Sequence, residues 1–128
     1  MDKIRHAHAN IAPAIGNYSR SVRAGDMLFI SGCTAVGTEA EGKGVMLQAN
    51  QTMDRIKRIV EAEGGATSDI VKLVIFVTDM PEFRTHLAEF DELLEGYFQG
   101  IYPASTLVAS PGLARPTLKI EVEATAVF

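Results

Sequence analysis

The sequence predicts an α+β domain, with two helices on one face of a mixed sheet, in the order β-β-α-β-α-β-β. Three observations carry this. The turn former Gly25-Asp26 separates two short strand-like segments. Two stretches, 46–63 and one opening at Asp79, repeat their apolar residues at helical spacing. The closing segment LKIEVEATAV (118–127) alternates apolar and polar residues as a half-buried strand does. Strands flanking and separating two amphipathic helices make a two-layer architecture.

The elements follow in order. Residues 1–16 read as a lead-in without regular pattern, interrupted by Pro13 and Gly16. NYSRSV (17–22) and MLFISG (27–32) form a β-hairpin across Gly25-Asp26. The glycine-rich, charged stretch 34–44 is a surface loop. In the first helix Ala49, Met53, Ile56, Val60 and Glu63 keep the helical spacing, with Ile59 beside Val60. Gly64-Gly65 ends it. VKLVIFVT (71–78) is rich in β-branched residues and reads as a buried strand. Asp79-Met80-Pro81 opens the second helix, with a capping aspartate and a proline in the first turn. Its apolar stripe is Phe83, Leu87, Phe90, Leu94 and Tyr97-Phe98, closed by Gly100 and Pro103. STLVAS (105–110) and residues 118–127 complete the sheet, and the crossovers 27–78 and 71–110 are expected to be right-handed.

One excess bears on assembly. In 71–78 both alternating sets are apolar: Val71, Leu73, Ile75 and Val77, and also Val74 and Phe76. Two helices cover one face only. Leaving the other exposed would forgo roughly 1.5–3 kcal/mol per large side chain. A closed homo-oligomer is therefore expected, with sheets meeting face to face.

At 128 residues and 47% apolar content the chain is expected to be a single domain, residues 1–128, with a core of its own. Its net charge of −4 argues against a nucleic-acid partner, which would call for a basic surface. No apolar run has membrane-span length, and MDKIRHAHANIAP lacks the apolar centre of a secretory signal. The single cysteine, Cys33, excludes an internal disulfide. A cytoplasmic protein is the expectation.

Several chemistries find no support. His6 and His8 lie in the lead-in, expected to be mobile, and His86 stands alone on the second helix. No Cys/His cluster has metal-ligand spacing, so no metal is expected. The glycines of 37–44 are not followed by a phosphate-loop pattern, and no G-x-S-x-G occurs. Cys33, at a strand end after Ser31-Gly32, reads either as a reactive thiol with a lowered pKa or as a small half-buried filler. Alternation places Lys119, Glu121, Glu123 and Thr125 on the face away from the helices. In an interface those carboxylates would be desolvated and pushed toward the pKa range of acid–base chemistry. A solvated strand edge or a structural ion pair is the alternative.

The segments GNYSRSVRAGDMLFISG, QANQTMDRIKRIVEAEGG, SDIVKLVIFVTDMPEF, YPAST and KIEVEATAV together resemble the RidA/YjgF (reactive intermediate deaminase) family over residues 13–128. The resemblance implies a chorismate-mutase-like fold and a homotrimer with a central barrel and clefts between subunits. It implies hydrolysis of 2-imino and 2-enamino acids to 2-keto acids and ammonia, without metal or cofactor. In that family an arginine in P-A-R-[ST] grips the substrate carboxylate. A last-strand glutamate, the backbone of an S-G-Q turn and a tyrosine near the N-terminus position water and the nitrogen. Tyr18, Ser31, Gly32, Thr106 and Glu121 match these positions. Ser105 stands at the arginine, Cys33 at the usual glutamine and Leu107 where many members carry cysteine. A serine cannot replace a bidentate guanidinium, so a substrate other than the classical one is expected. Arg115, in the loop before the last strand, is a candidate replacement.

Two functional readings follow. One is a cleft enzyme deaminating an imine, an enamine or a related small molecule, with Tyr18 and Glu121 catalytic and Ser31, Gly32, Cys33, Ser105, Thr106 and Arg115 at the substrate. The other is a non-catalytic ligand-binding or regulatory trimer, motivated by Ser105. Ribonuclease action or translation inhibition, attached to some relatives, fits the acidic charge least.

Overall fold

A computed structural model describes residues 1–9 and 11–128; residue 10, within the expected lead-in, lies outside the described residues. Among the described residues the chain forms strands β1 (Lys3–His6), β2 (Ser21–Ala24) and β3 (Met27–Cys33), helix α1 (Val45–Ala62) and strand β4 (Ile70–Val77). Helices α2 (Met80–Arg84) and α3 (Leu87–Phe98) and strands β5 (Ala104–Ala109) and β6 (Ile120–Val127) complete it. They build one open mixed sheet in the order β1-β2-β3-β6-β4-β5. β4 and β5 run parallel and the other neighbours antiparallel. This is the expected α+β arrangement, although the strand read over 17–22 begins only at Ser21, and with two larger differences.

The first is β1. The lead-in pairs through Lys3–His6 with Ser21–Ala24 and forms the sheet edge. His6 and His8 are held rather than mobile: His6 Nδ1 meets Glu63 Oε1, and His8 Nε2 lies 2.8 Å from Ser21 Oγ. The second is a break in the second helix. Asp79 caps α2 as expected, its Oδ1 accepting from Glu82 N–H at 3.0 Å. The chain then leaves the helix at Thr85-His86 before α3. The break turns Leu87 outward, so it is exposed rather than part of the stripe. Phe83 and Phe90 still meet edge to face across the break, 5.0 Å between centroids. The C-terminus of α3 adopts a left-handed conformation at Gln99 (φ 50°) and Gly100 (φ 85°).

The core lies between the sheet and the helices. Ala49, Met53, Ile56, Ile59 and Val60 of α1 meet Leu28, Ile30, Leu73, Ile75, Val122 and Ala124. In β4 the pairing with β6 shifts between Ile70 and Lys72. Ile70 therefore takes the buried position expected for Val71, which is exposed. Beyond the shift, Leu73, Ile75 and Val77 point to the helices, and Val74 and Phe76 to the open face. Phe29, paired with Thr125, shares that open face and is 45% exposed.

Candidate active site

The site begins with an irregularity in β3. Ile30 pairs with Ala124 and Cys33 with Val122, so Ser31 and Gly32 together oppose the single residue Glu123. Such a bulge re-aims side chains. Here it opens space for Glu121: a Cβ on Gly32 would lie 2.0 Å from Glu121 Oε2. Glycine is required at this position for room. Ser31 Oγ donates to Ser19 O at 2.6 Å and Ser31 N–H to Arg20 O at 3.1 Å, which fixes the chain running from Tyr18 into β2. The Tyr18 hydroxyl accepts from Ile15 N–H at 3.3 Å. On the other side, the Gln48 amide of α1 donates to Lys43 O and Thr117 O, both at 3.0 Å. Its oxygen accepts from Lys119 N–H at 2.9 Å. Gln48 thereby pins the entry to β6, two residues before Glu121.

These elements enclose a cavity of about 450 Å³ lined by Tyr18, Arg20, Ser31, Gly32, Arg55, Glu121 and Glu123, among others. Glu121 alternates with buried Ile120 and Val122, and its carboxylate reaches the cavity from the open face. Burial, and then the neighbouring Glu123 carboxylate, push its pKa above the ordinary carboxylate range, while the Arg20 guanidinium opposes the shift. A carboxyl so tuned sits closer to the pH at which it can both take and return a proton.

The structure separates the remaining candidates. Cys33 is fully buried on the helix side, with burial pushing its thiol up to about 11, so it is a protonated filler and not a thiolate. Arg115 lies outside the cavity and half exposed, its Nη1 3.3 Å from Glu41 Oε2. Ser105 pairs in register with Leu73 and lines a second cavity beside α3, with Leu94, Phe98 and Tyr102. Glu121 pairs with Phe76, on the opposite face. Ser105 and Glu121 of one chain therefore do not meet. Thr106, one residue on, points to the open face and accepts from Lys72 Nζ at 2.8 Å.

Two arginines in the Glu121 cavity were not singled out from the sequence. Arg20 is two residues after Tyr18, in the bent segment that leads into β2, and both line the cavity. Arg55 lies on the buried stripe of α1, where an arginine among Thr52, Ile56 and Ile59 is conspicuous. Its guanidinium donates to Thr34 O at 2.6 Å and Val36 O at 2.5 Å, holding the loop after β3. Among the described residues, no group of three or more His, Cys, Asp or Glu is placed to hold a metal ion. No helix is long and apolar enough to cross a membrane.

The family model described as Endoribonuclease L-PSP matches residues 9–128. A 2-iminobutanoate/2-iminopropanoate deaminase of Salmonella typhimurium is 37% identical over 123 residues, covering 94% of each chain. Among solved structures, the YjgF gene product of Escherichia coli superposes with a TM-score of 0.81 at 36% identity, covering 94% of this chain and 95% of that one. RidA from Psychrobacter sp. gives 0.82 at 29% identity, covering 95% and 97%. The bulge that seats a last-strand glutamate, a tyrosine lining the same cavity and a match running nearly the whole chain agree: this protein belongs to the RidA/YjgF family.

Proposed function

We propose that the protein is a hydrolytic deaminase of a small imine or enamine metabolite, acting in clefts between the subunits of a homotrimer. Its substrate differs from the classical 2-imino acids, because Ser105 occupies the position of the carboxylate-gripping arginine. The observation that carries the reading is the Glu121 carboxyl: half-buried, raised in pKa, and seated against a glycine that leaves it room. The relative named as a 2-iminobutanoate/2-iminopropanoate deaminase supports the reaction type.

The chemistry needs only water and one carboxyl. An enamine first takes a proton on carbon and gives one up from nitrogen, becoming the imine with no net change in protons. Ionised Glu121 then accepts a proton from water as the water oxygen bonds to the imine carbon and the C=N π pair moves to nitrogen. Protonated Glu121 returns that proton to nitrogen. Glu121 then takes the hydroxyl proton of the resulting carbinolamine and passes it to nitrogen as the C–N bond breaks, so that ammonia leaves and the former O–H electron pair becomes the C=O bond of the ketone. One group serves as base and then acid, which asks for a pKa above the ordinary carboxylate value. Tyr18 and the Ser31-Gly32 backbone line the same cavity and are assigned to holding water and nitrogen.

The experiment generates candidate imines in situ and follows ammonia release with wild type, Glu121→Ala and no protein. Wild type is expected to accelerate release of at least one, and Glu121→Ala to lose about a hundredfold or more of that rate. Equal release with and without protein would overturn the proposal.

A further inference from the structure

Arg115 does not reach the Glu121 cavity, but the residue before it does. Ala114 lines the cavity, with Leu118 from the same loop and Thr34 and Val36 from the loop after β3. Three of these four are tied down from the fold. The Thr34 and Val36 carbonyls accept from Arg55 of α1. Leu118 follows Thr117, whose carbonyl accepts from the Gln48 amide and from Gly42 N–H. Ala114 has no such tie. Among the described residues, the hydrogen bonds of 111–116 stay within the loop between β5 and β6, with one exception. Arg115 Nη1 donates to Glu41 Oε2 at 3.3 Å.

Glu41 is itself held in place. Its Oε1 accepts from Gly37 N–H at 2.8 Å, and its Oε2 accepts from Thr117 Oγ1 at 2.7 Å. Three donors on two loops thus converge on one carboxylate. These bonds, led by that from Gly37, favour the ionised form and hold Glu41 below the ordinary carboxylate range. The clasp is therefore complete at neutral pH. An exposed ion pair contributes little to stability. What it fixes here is the place of a loop.

We propose that Glu41 is a positioning residue of the Glu121 cavity: by clasping Arg115 and Thr117 it holds Ala114 in the cavity wall and so limits the water and the ligands that reach Glu121. Its effect on turnover rests on the deaminase reading; the placement of the wall does not. Glu121 itself reports whether the wall is in place. Burial is the first cause of its raised pKa, so water admitted past a displaced wall lowers it. The charged groups that share its cavity, Arg20, Arg55 and Glu123, are left intact by changes in the clasp.

The test titrates Glu121 through its carboxyl-carbon resonance, assigned by its loss in Glu121→Gln. It compares the full wild-type chain with Glu41→Ala, Arg115→Ala and the double variant. Each variant is expected to bring the Glu121 pKa down toward the ordinary carboxylate range. Arg115→Ala is the sharper case. Removing a cation would by charge alone raise a carboxyl pKa, so a fall reports solvent entering the cavity. The double variant is expected to match the larger single effect, because both changes open one clasp. In the ammonia assay each variant is expected to raise KM about tenfold and to lower kcat by less. Melting temperatures are expected to stay close to that of wild type. Where no imine is turned over the deaminase reading fails, and the titration still decides the placement of the wall. A Glu121 titration that both single variants leave unmoved, a pKa that rises in Arg115→Ala, single effects that add in the double variant, or an unchanged KM each overturns the proposal. So does a loss of stability that leaves the Glu121 titration as it was.

Discussion

Two titrating side chains on adjacent strands are shifted in the same direction for one physical reason, burial. Cys33 faces the core, and burial holds its thiol protonated up to about 11 despite the guanidinium beside it. Its pKa is raised from 9.0, so the stability tied to the neutral thiol is complete below pH 9.0 and lost as pH climbs through about 11. Iodoacetamide at pH 8 is therefore expected to leave Cys33 unmodified in the native protein and to alkylate it on unfolding, as read by intact mass. Glu121 faces the cavity, and its pKa is also raised, by burial and then by Glu123. The sign is again that of a group favoured when neutral: stability is present at low pH and lost as pH rises through the shifted pKa. Glu121→Gln is accordingly expected to melt higher than wild type at pH 8, with the gap closing as pH falls below the carboxylate range, while ammonia release falls by about a hundredfold. Thermal melts across pH check the first, and the ammonia assay the second. Alternation with Ile120 and Val122 was enough to read Glu121 from the chain. It could not say that Arg20, just before β2, is buried against Cys33.

At the scale of an element, the bulge in β3 separates site from fold. The three atoms nearest a Gly32→Ala Cβ all belong to the Glu121 side chain, a flexible group that can swing aside. The expected result is a stability change within about 1 kcal/mol in urea melts, with ammonia release lowered by about tenfold or more because the displaced carboxyl no longer faces the substrate. Loss of both together would mean that the bulge supports the sheet and not the site. Strand β1 shows why an element can be hidden from pattern reading. Lys3, Ile4 and Arg5 are all exposed, so nothing in the side chains alternates. What holds the strand is backbone pairing to β2 and the His6–Glu63 contact with the residue that closes α1. The break at Thr85-His86 was hidden for a related reason, since Phe83 and Phe90 keep helical spacing across it.

At the scale of the whole molecule, the open face of the sheet carries Met27, Phe29, Val74, Phe76 and Val127. The helices cover only the other face. Light scattering at micromolar concentration is expected to report three times the 13.8 kDa chain mass. Phe29→Asp, which places a charge among those side chains, is expected to dissociate the assembly. A monodisperse wild-type monomer would overturn it. A second chain would also decide what Ser105 can do. It lies on the helix side while Glu121 lies on the open side, so only a second chain could bring a position-105 side chain near a Glu121 cavity.

What the sequence determined by itself was everything carried by local period: the helix faces, the outward set of β6, the turn at Gly25-Asp26, and family membership through motifs matched in order. Period is set by backbone geometry and so survives in the linear chain. Tertiary structure alone decided which groups share a cavity. Arg20, Arg55 and Glu121 come from three separate elements, and Cys33 and Ser31 are two residues apart yet divided by the bulge. Burial, missing hydrogen-bond partners and shifted pKa values are properties of such encounters. They place Arg20, a residue that the strand pattern passes over, in the Glu121 cavity.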